Sequence, residues 1–173
     1  GGDGFVGQIT SNSFMKREFG KKLIQDFFPV TDLTHVIDTS GAYIPGHGTP
    51  TVILFGRNRL PQQDSVRAVL GIKGEPSTPA DPAQGLVWCS ILRQIDKVDS
   101  EDTFNSTADV PRSAFAVHPW SIGGGGAAEL KESIEASTSN TLSKHADIGV
   151  GVVTLEDDVF HVPYDFVQRM KIP

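Results

Sequence analysis

The chain has 173 residues, of which 38% are hydrophobic, and its formal net charge is −6. This length and hydrophobic content allow one sizeable domain or two small ones, and they exclude a wholly disordered chain. The negative charge argues against a stand-alone nucleic-acid-binding protein, and the single cysteine excludes an internal disulfide and a cysteine-based zinc site.

The charge is unevenly distributed along the chain. Residues 1–60 hold six Lys or Arg against five acidic residues, a net charge of +1, so the remaining 113 residues carry −7. This asymmetry predicts two regions with different electrostatic character. The sequence Pro61-Gln62-Gln63-Asp64 is the best boundary between them.

The first region begins with a predicted strand and a predicted helix. Residues 4–10 read as a short strand bounded by glycine, and the serines that follow offer N-cap chemistry for a helix over about residues 14–28. Apolar side chains at helical spacing predict one buried face. These side chains are Phe19, Leu23, Ile24 and Phe27. Gly20 lies within that face, which suggests close packing of the helix against a sheet.

Two further strands, 33–38 and 51–56, are predicted next, and a loop of 12 residues rich in glycine and proline separates them. Together with the first strand and helix they predict the closing part of an α/β sheet whose last connection is a hairpin. Three strands are too few for a complete doubly wound domain. We therefore expect the chain to be a piece of a larger protein.

The sequence pattern of residues 61–173 predicts a smaller α+β segment. Strands are indicated at 66–72, 148–154 and 159–162, and helices at about 83–97 and 127–136. Residues 98–122 show no regular pattern and are predicted to be irregular, with apolar anchors. These anchors are Phe104, Phe115, Val117 and Trp120. The run Gly123–Gly126 before a helix is either a phosphate-binding turn or, since it lacks the Lys-Ser/Thr of a P-loop, a hinge.

Four basic residues cluster near the start of the predicted helix. Lys16 and Arg17 lie in its first turn, where the helix dipole disfavours cations, and Lys21 and Lys22 follow one turn later. One interpretation is contact with DNA phosphates, with Arg17 and Lys21 presented together at i, i+4. The alternative is an ordinary solvated helix face.

The turn Gly46-His47-Gly48 lies in the hairpin loop. It could bind an anion or hold a base, or it could simply be a tight turn with a hydrogen-bonded histidine. The other histidines show no ligand spacing relative to His47, which argues against a metal site.

Four segments together carry a resemblance to a known family. They are GFVGQITSNSFMKREFGKKLIQDFF, LTHVIDTSGAYIPGHGTPTVILFGRNR, VLGIKGEPSTP and HPWSIGGGGAAELKE. This combination resembles the large adenine-specific DNA methyltransferases, in particular the phage-defence methylases of the BREX and phage-growth-limitation type. The resemblance covers most of the chain, and in that family such residues follow the catalytic motif.

The resemblance implies a place for each region. Residues 1–60 would be the C-terminal portion of a Rossmann-like catalytic domain, and residues 61–173 would begin the target-recognition, DNA-binding region. The hairpin loop would border the pocket for a flipped adenine. The side chains implied at that pocket are Tyr43, Ile44, Pro45, His47 and Thr49. The parent protein would use S-adenosylmethionine to methylate double-stranded DNA, with possible defence-system partners. Since the sequence shows no membrane span and no export segment, the cytoplasm is the expected location.

Two motifs of the family are missing from this sequence. The glycine-rich S-adenosylmethionine loop after the first strand is absent, and so is the Asn-Pro-Pro-Tyr/Phe motif, because no Pro-Pro pair occurs. We therefore expect no catalytic residue and no bound cofactor in this chain, and no methyl transfer by the chain alone. The alternative is a non-enzymatic module of the same ancestry that binds DNA or another protein.

Overall fold

The computed structural model describes residues 4–138, 140–147, 149 and 163–171. The chain divides into two compact units, residues 1–134 and residues 135–173. The first unit is built on one six-stranded mixed sheet with packed segments on both faces. The predicted α/β class is confirmed.

The hairpin predicted from the sequence is present in the middle of this sheet. The strands in chain order are β1 (Phe5–Ser11), β2 (Asp32–Asp38), β3 (Thr51–Arg57), β4 (Ser65–Gly71), β5 (Ser100–Glu101) and β6 (Asn105–Pro111). Their spatial order is β1-β3-β2-β4-β6-β5. Because β3 is antiparallel to both β1 and β2, these two strands run in the same direction on either side of it. The first three predicted strands are correct to within one residue at each end.

The sheet continues past the hairpin into the second half of the chain. β4 pairs in parallel with β2, with Val36 opposite Ala68, and β6 is antiparallel to β4. The short strand β5 forms the edge beyond β6. The functional division at residue 60 stays a prediction, and the sheet contains strands from both sides of it.

Residues 12–30, here called the covering segment, pack on one face of the sheet. Short helical turns occupy Asn12–Met15, Glu18–Gly20, Leu23–Phe27 and Phe28–Val30. The prediction of one continuous α-helix over 14–28 is wrong, because Arg17 has extended backbone angles (φ −89°, ψ 146°) that interrupt the helix. The buried side chains of this segment join the larger core cluster with Trp120.

Gly20 has a different role from the one predicted. A Cβ atom at Gly20 would lie 1.8 Å from the backbone oxygen of Phe14, so the glycine allows two turns of the covering segment to touch each other. Phe19 and Phe27 are 70% and 53% exposed, whereas Ile24 is fully buried. The predicted apolar face is therefore not buried as one stripe, since two of its four side chains are mostly exposed.

Helix α1 (Leu86–Gln94) covers the opposite face of the sheet. Val87 and Ile91 pack with Ile37 of β2 and Val69 of β4 in a second core cluster. The predicted helix over 83–97 is present but shorter. A separate turn, Pro82–Gln84, precedes it.

The prediction that residues 98–122 are irregular is wrong. They contain β5 and β6, followed by a helical turn at Arg112–Ala116. The sequence of β6, NSTADVP, lacks apolar alternation, and its inward side chains Asn105 and Thr107 are buried although they are polar. Phe115 and Trp120 are buried as predicted, but Val117 is exposed.

The glycine run leads from the sheet into helix α2 (Ala127–Ser137). The amide of Gly124 donates a hydrogen bond to the Gly71 carbonyl at the end of β4, and an added Cβ would meet Leu70 O at 2.7 Å. In the second unit a turn at Leu142–Lys144 and helix α3 (Tyr164–Met170) are described. The strands predicted at 148–154 and 159–162 lie outside the described residues, apart from residue 149.

Candidate ligand-binding site

The carboxyl ends of three parallel strands meet at one edge of the sheet. β1, β2 and β4 run in the same direction, so the segments that follow Ser11, Asp38 and Gly71 lie at this edge. Ligands of open α/β sheets bind at the carboxyl ends of the strands. The hairpin loop, residues 39–50, follows β2 at this position.

Backbone and hydroxyl hydrogen bonds give the hairpin loop its shape. The hydroxyl groups of Thr39 and Thr51 are buried and 2.7 Å apart, and they close the base of the loop. Farther out, the His47 amide donates to the Ile44 carbonyl across a turn, with proline at the second position and Gly46 at the third. Gly46 has φ +67°, which is the conformation that the third position of a type II turn requires.

A second segment is tied to this loop through Glu75. The Glu75 amide donates to the Gly41 carbonyl in the loop, and its Oε1 accepts a hydrogen bond from the Val87 amide at the start of α1. Gly41 also packs tightly, since an added Cβ would lie 3.1 Å from Gly74 Cα. These contacts hold the start of α1 beside the hairpin loop.

A cavity of about 260 Å³ lies between the loop and the start of α1. From the loop it is lined by Tyr43, Ile44 and Pro45, three of the five residues predicted for a base pocket. On the other side the lining residues are Pro82, Ala83 and Trp88. The sequence predicted Trp88 only as part of an apolar helix face. Its position opposite Tyr43 depends on the Glu75 contacts, which no local pattern reveals.

The chemistry of this cavity suits a flat, uncharged ring. None of its ten lining residues is charged, and two of them, Tyr43 and Trp88, are aromatic. Its volume is below the roughly 300–1,000 Å³ of sites that hold whole ligands. Aromatic and apolar side chains of this kind stack on nucleic-acid bases. The lining offers no carboxylate, imidazole or amine for acid–base chemistry.

A second cavity, of about 320 Å³, adjoins the first at Ile44. It is lined by His47, the fourth of the five residues expected at the pocket, together with Thr51 and the end of β1. Thr49 is exposed and lines neither of these two cavities. The structure thus groups Tyr43, Ile44 and Pro45 and places His47 on the far side of Ile44.

All four basic residues of the covering segment are exposed. They are Lys16, Arg17, Lys21 and Lys22. The proposed pairing of Arg17 and Lys21 on one helix turn does not hold, since Arg17 is extended. Lys21 Nζ instead lies 3.3 Å from a carboxylate oxygen of Glu18. A role for these residues in phosphate contact stays a prediction.

The part of the chain that the structure describes shows neither a metal-binding cluster nor a membrane-spanning helix. It contains no group of three or more His, Cys, Asp or Glu residues that could hold a metal ion. None of its helices has the length and apolar character needed to cross a membrane.

Comparison with known proteins agrees with the resemblance seen in the sequence. No family model matches the chain. Over 95% of its length the chain is 46% identical to the adenine-specific methyltransferase PglX of Streptomyces coelicolor (strain ATCC BAA-471 / A3(2) / M145). The chain spans 14% of the length of that relative. The predicted relationship to an adenine-specific methyltransferase is confirmed, and the relationship is to one small segment of it.

Proposed function

We propose, from the homology of this chain to one segment of an adenine-specific methyltransferase, that it forms one wall of the target-adenine pocket in a DNA adenine-N6 methyltransferase of phage defence. In this proposal the hairpin closes the catalytic sheet and the chain continues into the region that reads DNA sequence. The observation that carries the proposal is the uncharged aromatic cavity between Tyr43 and Trp88 at the carboxyl end of β2.

The strand order supports the placement of residues 1–60. β3 is the returning strand of the hairpin, and it lies between the parallel strands β1 and β2. Among the described residues, no strand pairs with the outer edge of β1. That edge is where the earlier strands of a catalytic sheet would continue. Phe5, Val6 and Ile9 of β1 are all more than half exposed, as expected of a strand that lacks its neighbours.

The chemistry of the cavity supports a role in holding a base rather than in transferring a methyl group. A flipped adenine needs apolar or aromatic surfaces against its ring and polar groups at its edge. Tyr43 and Trp88 supply the first kind of contact. The polar contacts and the methyl donor would come from the part of the methyltransferase that precedes β1.

The residues of this chain do not fit the cofactor S-adenosylmethionine. The sequence has no glycine-rich loop after its first strand and no Asn-Pro-Pro motif. Its run of four glycines is packed at Gly124 against the backbone of β4, where a Cβ added at Gly124 would meet Leu70 O at 2.7 Å. That run is not an open cradle for a ligand. The proposal therefore assigns cofactor binding to the rest of the parent protein.

Methyl-transfer assays test both the proposed function and the assignment of catalysis to the rest of the enzyme. With labelled S-adenosylmethionine and duplex DNA, the complete methyltransferase is expected to form N6-methyladenine, and the 173-residue chain is expected to transfer no label. If the complete enzyme formed no N6-methyladenine in the DNA under conditions that support its folding, the proposed function would be contradicted. Transfer by the isolated chain would contradict the assignment of catalysis to the missing part.

A second assay distinguishes the base pocket from a simple DNA-binding module. 2-Aminopurine, which fluoresces when it leaves the base stack, replaces the target adenine in a duplex bound by the complete enzyme. A base-pocket role predicts that Tyr43→Ala changes this fluorescence with little effect on duplex affinity. If the chain were a non-enzymatic DNA-binding module, neither the unmodified enzyme nor the Tyr43→Ala variant would increase the emission.

A further inference from the structure

We propose that this chain has a second binding site, which takes the phosphate group of a small molecule in an arginine-lined cavity at the opposite end of the sheet from the base pocket. The cavity has a volume of about 300 Å³. It lies where β2 and β4 begin and β3 ends, at Asp32, Ser65 and Arg57. The proposal is independent of the proposed methyltransferase function.

The charge of the cavity is positive although the chain as a whole is negative. Four arginines line it against two carboxylates, a formal excess of two positive charges. These residues are Arg57, Arg59, Arg67 and Arg112, with Asp32 and Asp109. The guanidinium fork matches the oxygens of phosphate, and the excess charge corresponds to that of a phosphate dianion.

The two carboxylates position the guanidinium groups. Asp32 is buried, and its oxygens lie 2.9 Å from Arg59 Nε and 3.5 Å from Arg112 Nη2. Asp109 lies 2.6 Å from Arg67 Nε on the other side of the cavity. Charged side chains fixed in this way lose little conformational freedom when they bind an anion, which favours binding.

Arg112 has a donor that its contacts leave unused. Its Nε donates to the Gln63 carbonyl and its Nη2 to the Leu33 carbonyl, but Nη1 is buried without a hydrogen-bond partner in the described structure. A buried donor without a partner is costly, and a cationic one is costlier than a neutral one. The neutral donors Gln62, Gln63 and Ser65 also line the cavity.

The shape of the site favours a small molecule over a DNA backbone. The arginines surround a recess at the strand ends, whereas backbone phosphates are usually met by cations spread along a surface. The exposed lysines of the covering segment lie outside this recess. We therefore expect a phosphate group on a compact ligand.

His35 provides a spectroscopic probe, because it lines the same cavity. Burial and the positive charge of Arg67 lower the pKa of His35 below its usual 6.5, and the carboxylates of Asp96 and Asp109 partly oppose this change. A bound phosphate would offset the positive charge. The pKa of His35, measured by NMR titration of its ring protons, is therefore expected to rise in the presence of phosphate.

The experiment uses inorganic phosphate as the probe and the 173-residue chain as the protein. Phosphate is expected to bind saturably and to raise the pKa of His35, while sodium chloride at equal ionic strength does neither. Arg57→Gln is expected to weaken phosphate binding by about tenfold or more, as expected for loss of a charged hydrogen bond. Arg93→Gln, which removes an arginine outside the cavity, is the matched control and should bind as the unmodified chain does.

Three results would overturn the proposal. One is a non-saturating response that chloride reproduces, a comparison that needs no variant and does not depend on Arg57→Gln folding. Another is that Arg57→Gln and Arg93→Gln weaken phosphate binding equally. The last is a short duplex that competes for the site at concentrations far below those of phosphate and loses affinity in Arg57→Gln, because this would make the cavity a DNA contact.

Discussion

Single residues of the covering segment determine how it packs, and Gly20 is the clearest case. A Cβ at this position would overlap the Phe14 backbone oxygen, which cannot rotate away as a side chain can. Gly20→Ala is therefore expected to lower the free energy of unfolding by about 1–3 kcal/mol or more. Urea denaturation followed by circular dichroism measures the change.

Gly48 offers a matched control for this prediction. An added Cβ at Gly48 would have no atom within 4 Å. Gly48→Ala is expected to change the free energy of unfolding by no more than about 0.5 kcal/mol. Equal effects of the two substitutions would show that the close contact between Gly20 and Phe14 does not exist in solution.

The exposed basic residues allow a test of DNA contact by this chain. If Arg17 and Lys21 contact phosphates, their joint replacement by alanine should weaken duplex binding and reduce the dependence of log K on log salt by about one for each lost contact. Lys97→Ala, which removes an exposed lysine elsewhere, should leave that slope unchanged. An unchanged slope in the Arg17/Lys21 variant would remove these residues from the DNA interface.

At the residue scale the sequence predicted part of the candidate site. The resemblance to the methyltransferases implied Tyr43, Ile44 and Pro45 at a base pocket, and these three residues do line one cavity. Trp88 was missed because its contact with the site depends on hydrogen bonds from Glu75 to Gly41 and Val87. Such contacts join distant parts of the chain and leave no periodic signal in it.

At the scale of secondary-structure elements, Asp102 fastens α1 to the sheet. Its carboxylate accepts hydrogen bonds from the Ser90 hydroxyl and the Phe104 amide, each at 2.8 Å, and from the Asn105 amide at 3.2 Å. Arg93 Nη2 lies 3.3 Å from it. Asp102→Asn is expected to lower the free energy of unfolding at pH 7 by about 1 kcal/mol, the net value of an ordinary hydrogen bond.

This contact also predicts how stability depends on pH. Burial raises the pKa of Asp102, but the hydrogen bonds from Phe104, Ser90, Asn105 and Arg93 outweigh it, so its pKa lies below the usual 3.8. The stabilisation is then complete above about pH 3.8 and is lost as the pH falls through the folded-state pKa. Asp102→Asn should remove this part of the acid dependence in denaturation series from pH 7 to pH 2. An identical acid dependence in both proteins would contradict the role of Asp102.

The elements differ in how well their sequences predicted them. β1, β2 and β3 were predicted closely because β-branched and apolar residues fill each run between breakers. β6 was missed because its buried residues are polar: the Asn105 side chain donates to Ser90 and to the Val87 carbonyl of α1. The covering segment was predicted as one helix because helical spacing does not reveal the contact between Gly20 and Phe14.

At the scale of the whole molecule, the outer edge of β1 pairs with no strand of the described residues. Strand edges with exposed apolar side chains pair with other chains. We expect the 173-residue chain to self-associate as its concentration rises, as measured by sedimentation velocity. Val6→Lys on β1 should suppress this, whereas Val30→Lys, at a similarly exposed valine outside the sheet, should not. Equal association of all three proteins would exclude the β1 edge as the contact.

Steady-state methylation by the complete enzyme is the direct test of whether Tyr43 and Trp88 form a wall of the target-adenine pocket. Base–aromatic stacking contributes about 1–3 kcal/mol, so Tyr43→Ala and Trp88→Ala should each lower kcat/KM for DNA by about 5- to 150-fold, with unchanged affinity for S-adenosylmethionine. Tyr164→Ala, at an exposed tyrosine of the second unit, is the control. If kcat/KM is unchanged in both pocket variants, the cavity between the hairpin loop and α1 is not the adenine site.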